Sequence, residues 1–128
     1  MEPNTDPAAA ELPPATDNAS LDRLRKFGGG KLLNDMIALF LVAAPERLEA
    51  SRNGLASNDA PAVEMALHSL KSSSAQLGAL RMQKICERGE ALARAGTLDE
   101  VRPLMAQLDE EFPRVQYWLE HARNPESK

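Results

Sequence analysis

The sequence predicts an all-α protein, an antiparallel up-down-up-down four-helix bundle with a short additional N-terminal helix. Three observations lead there. Aromatic residues make up only 4% of the 128-residue chain, while Ala and Leu abound, which favours helices over sheets. Apolar residues recur at three- and four-residue spacing in several long stretches, each marking one buried face. The connections between those stretches are short, so successive helices pack as antiparallel neighbours.

Residues 1–19 are rich in Pro, Ala, Asp and Glu and lack apolar periodicity, so a disordered tail or linker is expected there. Ser20 is placed to cap a short helix, Leu21–Phe27, that Gly28-Gly29-Gly30 ends. The next helix begins near Lys31 and carries Leu33, Ile37, Phe40, Leu41, Ala44, Leu48 and Leu55 on one stripe. Pro45 either kinks it or splits it. Asp59 can cap a helix from Ala60 to about Leu77, with Pro61 tolerated in its first turn and Gly78 at its end. A further helix runs from about Leu80 to Ala95. Met82, Ile85, Cys86, Leu92 and Ala93 are its core candidates, Gly89 allows close packing and Gly96 stops it. Thr97 and Glu100 have capping-box spacing for the last helix, although Pro103 places its regular start near that residue. Val101, Met105, Leu108, Phe112, Val115 and Leu119 form its seam, and Pro113 should bend it. The bundle spans 20–124, and residues 125–128 should fray.

Composition removes several function classes. The net charge of −4 arises in the acidic first 19 residues, which hold no Lys or Arg, and leaves no basic footprint for nucleic acid. The longest apolar run, Met36–Ala44, is too short to span a membrane, and no secretory signal opens the chain. A cytoplasmic protein, or a cytoplasmic piece of a larger one, is the simplest expectation. The single cysteine, Cys86, allows no internal disulfide. No His/Cys pair has zinc-ligand spacing, and the triple glycine is not a phosphate-cradling loop, because no strand precedes it and no Gly-Lys-Ser/Thr follows.

The chemistry concentrates in residues 66–79, Ala-Leu-His-Ser-Leu-Lys-Ser-Ser-Ser-Ala-Gln-Leu-Gly-Ala. With about 100° per residue and His68 at zero, Glu64 falls near −40°, Lys71 near −60°, Ser72 near +40° and Ala75 near −20°. Val63, Ala66, Leu70, Ser73, Ser74 and Leu77 collect on the opposite side. His68 therefore points to solvent, with an exposed Lys71 one turn on. A neutral imidazole is a nucleophile, and an ammonium beside it would offset the charge of a phosphoryl group placed on the ring.

His68-Ser69-Leu70-Lys71-Ser72-Ser73-Ser74-Ala75-Gln76-Leu77-Gly78-Ala79 resembles the signature of histidine-containing phosphotransfer (HPt) domains, H-x-L-K-G-S-S-x-x-L-G-A. The resemblance continues through Cys86-Glu87-Arg88 and Glu90-Ala91-Leu92. It implies that His68 takes a phosphoryl group from one receiver aspartate and passes it to another in a two-component phosphorelay. Lys71 would stabilise the phosphate. Glu90 matches a family position near the acceptor, often Gln or Glu, that orients the ring; read by itself it is a surface carboxylate with no role. The partners implied are response-regulator receiver domains and a hybrid sensor kinase, docking on Glu64, His68, Lys71, Ser72, Ala75 and Ala79. The chain would act as a monomer, without ATP-dependent kinase activity or a cofactor of its own, with Mg²⁺ in the receiver. Ser72 departs from the family's glycine, and its hydroxyl could fold back onto the carbonyl of His68.

That departure keeps an alternative open: a phosphotransfer-inactive helical module that binds receivers or other regulatory proteins. A purely structural bundle would bind no receiver at all. Cys86 lies on an apolar stripe and reads as a small buried hydrophobe. His121, near a helix end, has no motif around it and receives no role.

Overall fold

The computed structural model describes residues 15–123. Four helices follow in order: α1 (Asn18–Ala56), α2 (Ala60–Leu77), α3 (Leu80–Arg94) and α4 (Leu98–Ala122). Each packs on the next, and α1 also meets α4, so the up-down-up-down bundle closes on itself. Leu33, Ile37, Val63, Met82, Cys86, Val101, Val115 and Leu119 have no exposed surface. Leu41, Leu92 and Phe112 sit at the margin of this core. Phe40 and Phe112 hold the α1–α4 seam with ring centroids 6.2 Å apart.

The N-terminal helix is the first arm of α1. At Gly29 the backbone takes φ 77° and ψ −176°, a conformation open essentially to glycine alone, and helix resumes beyond it. So one glycine of the three makes the break. Only Gly29 departs from helical geometry inside α1, so Pro45 does not split the helix. By length and mean hydropathy α1 would suffice to cross a membrane, contrary to the sequence expectation. Its Leu33–Ile37–Phe40–Ala44 stripe is instead buried in the bundle.

Helix α1 begins before the expected cap. Asp17, not Ser20, caps α1, its carboxylate accepting from the Ala19 N–H at 3.0 Å. Ser20 is already inside the helix and buried, and its hydroxyl donates to Asp17. The Asp17 N–H donates to the Gly78 carbonyl at 2.8 Å, which ties this end of α1 to the α2–α3 turn. The far side of the arm is tied to α4. Trp118 Nε1 donates to Asn18, and Arg25 Nη2 donates to the Ala122 carbonyl at 3.0 Å. Residues 1–14 of the expected tail, and the expected fray over 125–128, lie outside the described residues.

α4 also departs from expectation. It starts at Leu98, well before Pro103, and stays helical through Pro103 and Pro113. Thr97 forms no capping box. Its hydroxyl donates back to the Leu92 carbonyl at 3.2 Å, closing the α3–α4 turn instead.

Candidate functional site

α2 is built to show one face. Asp59 caps it by accepting from the Ala62 N–H at 3.1 Å, and Pro61 fits its first turn. Val63, Ala66, Leu70, Ser74 and Leu77 are buried, as the angular reading requires; Leu67 is buried as well, and Ser73, expected with them, is only half-buried. His68 therefore stands on the outer face, with 59% of its side chain exposed. Gly78 ends the helix in the left-handed region (φ 88°), and its N–H bonds the carbonyls of Ser74 and Ala75. A β-carbon there would lie 2.6 Å from the Asp17 carbonyl, so both conformation and space require glycine.

α3 supplies the other half. At Gly89, a β-carbon would come within 2.6 Å of Leu67 Cδ1. Leu67 is buried, so this glycine sets how closely α3 approaches α2. The next residue, Glu90, is 4% exposed and lies directly beneath His68. Its Oε2 is 2.8 Å from His68 Nδ1 and accepts from Arg94 Nη2 at 3.0 Å. Its Oε1 receives Lys71 Nζ at 2.6 Å. Arg94 Nε donates in turn to Glu64 Oε2 at 2.8 Å. Two i,i+4 pairs, Glu64/His68 on α2 and Glu90/Arg94 on α3, thus face each other across an antiparallel seam.

The electrostatics follow from that geometry. Burial pushes the Glu90 carboxyl up, but the hydrogen bonds and charges of Lys71 and His68 outweigh it and leave the group below the usual carboxylate range. An ionised Glu90 accepts hydrogen bonds and donates none, so the ring proton sits on Nδ1. In the neutral ring Nε2 then carries the lone pair, and no protein partner bonds it among the described residues. Hydrogen bonding to Glu64 raises Arg94, so its charge is permanent. Cys86, one turn before Glu90, is fully buried; burial first and the Glu90 charge second push its thiol up to about 12. It is a packing residue and not a nucleophile. No cluster of His, Cys, Asp and Glu could hold a metal ion among the described residues.

Four expectations need correction. Lys71 is not a free surface cation; its side chain is 29% exposed and anchored on a buried carboxylate. Glu90 is that carboxylate and not a surface group. Ala79 is fully buried at the head of α3, its N–H on the Ser74 carbonyl, so it offers a partner nothing to touch. The serine that folds back is Ser73, onto the Ser69 carbonyl at 3.0 Å, one residue after the expected Ser72. Ser72 and Ala75 are exposed on the His68 face, and Glu64 is half-buried there, held by Arg94. Arg94 is the residue sequence reasoning missed. The signal was its four-residue spacing from Glu90, matching that of Glu64 and His68.

On its α1 side the face becomes apolar. Leu39, 70% exposed, rims a shallow groove of about 230 Å³ against Ser73 and Gln76. A wider groove of about 540 Å³ continues past Gln76 to Leu24 and Phe27, and Phe27 is 90% exposed.

Comparison with known proteins adds three findings. The family model described as "Hpt domain" matches residues 35–118. A crystal structure of histidine-containing phosphotransfer protein B (HptB) from Pseudomonas aeruginosa PAO1 is similar to 86% of this chain, over 95% of its own length, with a TM-score of 0.81 and 27% identity. The HPT domain of a sensor hybrid histidine kinase from Shewanella shares the fold, with a TM-score of 0.71 and 19% identity, over 84% of this chain and 92% of that one. No curated protein matches the chain in sequence.

Proposed function

The chain belongs to the Hpt domain family, and from that premise we propose that it relays a phosphoryl group between receiver-domain aspartates through phosphohistidine at His68. Members of this family are phosphoryl carriers of two-component phosphorelays and not kinases. The single observation that carries the assignment to His68 is its bond to a buried, ionised Glu90 at 2.8 Å.

That bond supports a complete half-reaction. With Nδ1–H held by Glu90, the Nε2 lone pair attacks the phosphorus of the receiver's aspartyl phosphate. The N–P bond forms, the P–O bond to the aspartate breaks, and the aspartate leaves as a carboxylate. The ring becomes cationic while keeping its Nδ1 proton, and Glu90 lies against that charge. In the reverse step the next receiver's aspartate carboxylate attacks the phosphorus, the P–O bond forms, the N–P bond breaks and His68 leaves as a neutral imidazole, so no proton need enter or leave. Lys71 neutralises Glu90 from the other oxygen and stands one turn from the phosphoryl group. Mg²⁺ belongs to the receiver in this reading, and the chain works as a cytoplasmic monomer.

The receiver docks over Ser72 and Ala75 and along the apolar groove rimmed by Leu39. An exposed apolar surface beside a polar reacting group suits a transient protein contact. Ser72 is small and exposed, which favours transfer over an inactive binding module. The test is label transfer from a phosphorylated receiver: acid-labile, alkali-stable phosphate should appear on the wild type and vanish in His68→Gln. Label that persists in that variant, or moves to His121, would overturn the assignment.

A further inference from the structure

We propose that Arg94 is a second phosphate-binding cation of this site and that Glu64 holds it in reserve until the phosphoryl group arrives. The inference rests on His68 being the acceptor. Arg94 ends α3, and its guanidinium shares Glu90 Oε2 with His68 Nδ1. The two donors meet on one oxygen, so the guanidinium lies beside the ring.

The site is charge-balanced before transfer. Glu64 and Glu90 face Lys71 and Arg94, each cation committed to a carboxylate. A phosphoryl group on Nε2 adds net negative charge with no uncommitted cation among these four. Lys71 is the worse candidate to move. It is 29% exposed, and leaving would strip the buried Glu90 of its closest partner, at 2.6 Å. Arg94 is 63% exposed, and its Glu64 partner is itself one-third exposed. A guanidinium has five N–H donors in a planar fork. Arg94 can therefore keep Nη2 on Glu90 while turning Nε from Glu64 to a phosphoryl oxygen. Nη1 has no bond among the described residues. Glu64 opposes this twice, by occupying Arg94 and by placing a carboxylate four residues before the phosphorylated ring. No bond is made or broken in the exchange; an ion pair changes partner.

The proposal has opposite signs for its two residues. Arg94→Ala should shorten the phosphohistidine lifetime and shift the transfer equilibrium toward the receiver, by about fivefold. Glu64→Gln should lengthen the lifetime and shift the equilibrium the other way by a similar factor. In the double variant the gain from Glu64→Gln should largely disappear, because it acts through Arg94. Arg94→Lys keeps the charge without the fork and should rescue only in part. The experiment measures lifetime and receiver equilibrium for wild type and these four variants. It also measures receiver binding without phosphate, so that lifetime and equilibrium are compared at equal receiver occupancy. If wild type is never labelled on His68, the functional reading fails and this proposal with it. If wild type is labelled but all four variants keep its lifetime and equilibrium, only the proposal fails. A Glu64→Gln gain that persists undiminished in the Arg94→Ala background also overturns it, since Glu64 would then act by repulsion alone.

Discussion

Replacing Lys71 with alanine separates a surface cation from an anchored one. A solvated lysine on a helix face costs no more than about 0.5 kcal/mol when truncated. The observed Lys71 ammonium instead lies 2.6 Å from a carboxylate whose side chain is 5% exposed. Stripping one partner from a fully buried ion pair costs roughly 3–5 kcal/mol. Two features reduce that figure here: Arg94 and His68 remain on Oε2, and Lys71 reaches solvent with about a third of its side chain. We therefore expect a loss of about 1–2 kcal/mol at pH 7 in urea denaturation. For a domain of this size that lowers Tm by at least about 4 °C. The pH dependence has a definite sign. Folded Glu90 binds its proton more weakly than an unfolded carboxyl, whose pKa is about 4.3. Its contribution is full above that value and is lost as pH falls through the lower, folded value. The gap between wild type and Lys71→Ala should thus be constant near neutrality and close on acidification. A gap under 0.5 kcal/mol, or one that stays constant down to the pH where wild type itself unfolds, would refute the reasoning.

The neighbouring positions give two further expectations. Gly89→Ala forces a β-carbon against buried Leu67 Cδ1, so it should cost about 1–3 kcal/mol. By parting α2 from α3 it should also slow phosphoryl transfer, and wild-type kinetics in a destabilised variant would break that link. Ser72→Gly should lose somewhat less than about 1 kcal/mol of stability while keeping or improving receiver binding and transfer. Ser72→Arg should keep the fold and block docking by bulk; a bulky variant that transfers as fast as wild type would move the docking face away from Ser72.

Much of this was legible in the sequence, because helical angle is a one-dimensional quantity. The 100° step placed His68 outside and Leu70, Ser74 and Leu77 inside, and the structure agrees. It also put Glu64 and Lys71 on one side of His68 and Ser72 on the other, which are the α3 and α1 sides. What crosses between helices was not legible. The burial of Glu90 depends on how closely Gly89 lets α3 approach Leu67, and no angle within α3 carries that distance. Arg94 was missed for the same reason, since only the antiparallel register of α2 and α3 sets it opposite Glu64. Local competition explains the other departures. Asp17 outcompeted Ser20 as the cap because the chain before α1 is tied to Gly78. Thr97 spent its hydroxyl on the preceding turn and left the head of α4 without a side-chain cap. Ala79 belongs to the motif's pattern, yet its place in the α2–α3 turn buries it.

The central claim is that Glu90 holds the proton on Nδ1 so that Nε2 of His68 takes the phosphoryl group. Its most direct test is nuclear magnetic resonance of ¹⁵N-histidine-labelled protein after transfer from a phosphorylated receiver, with the ³¹P coupling assigned to one ring nitrogen. Coupling to Nε2 of His68 alone is expected, with the Nδ1 proton retained beside Glu90. Phosphorus on Nδ1, or on no atom of His68, would contradict it.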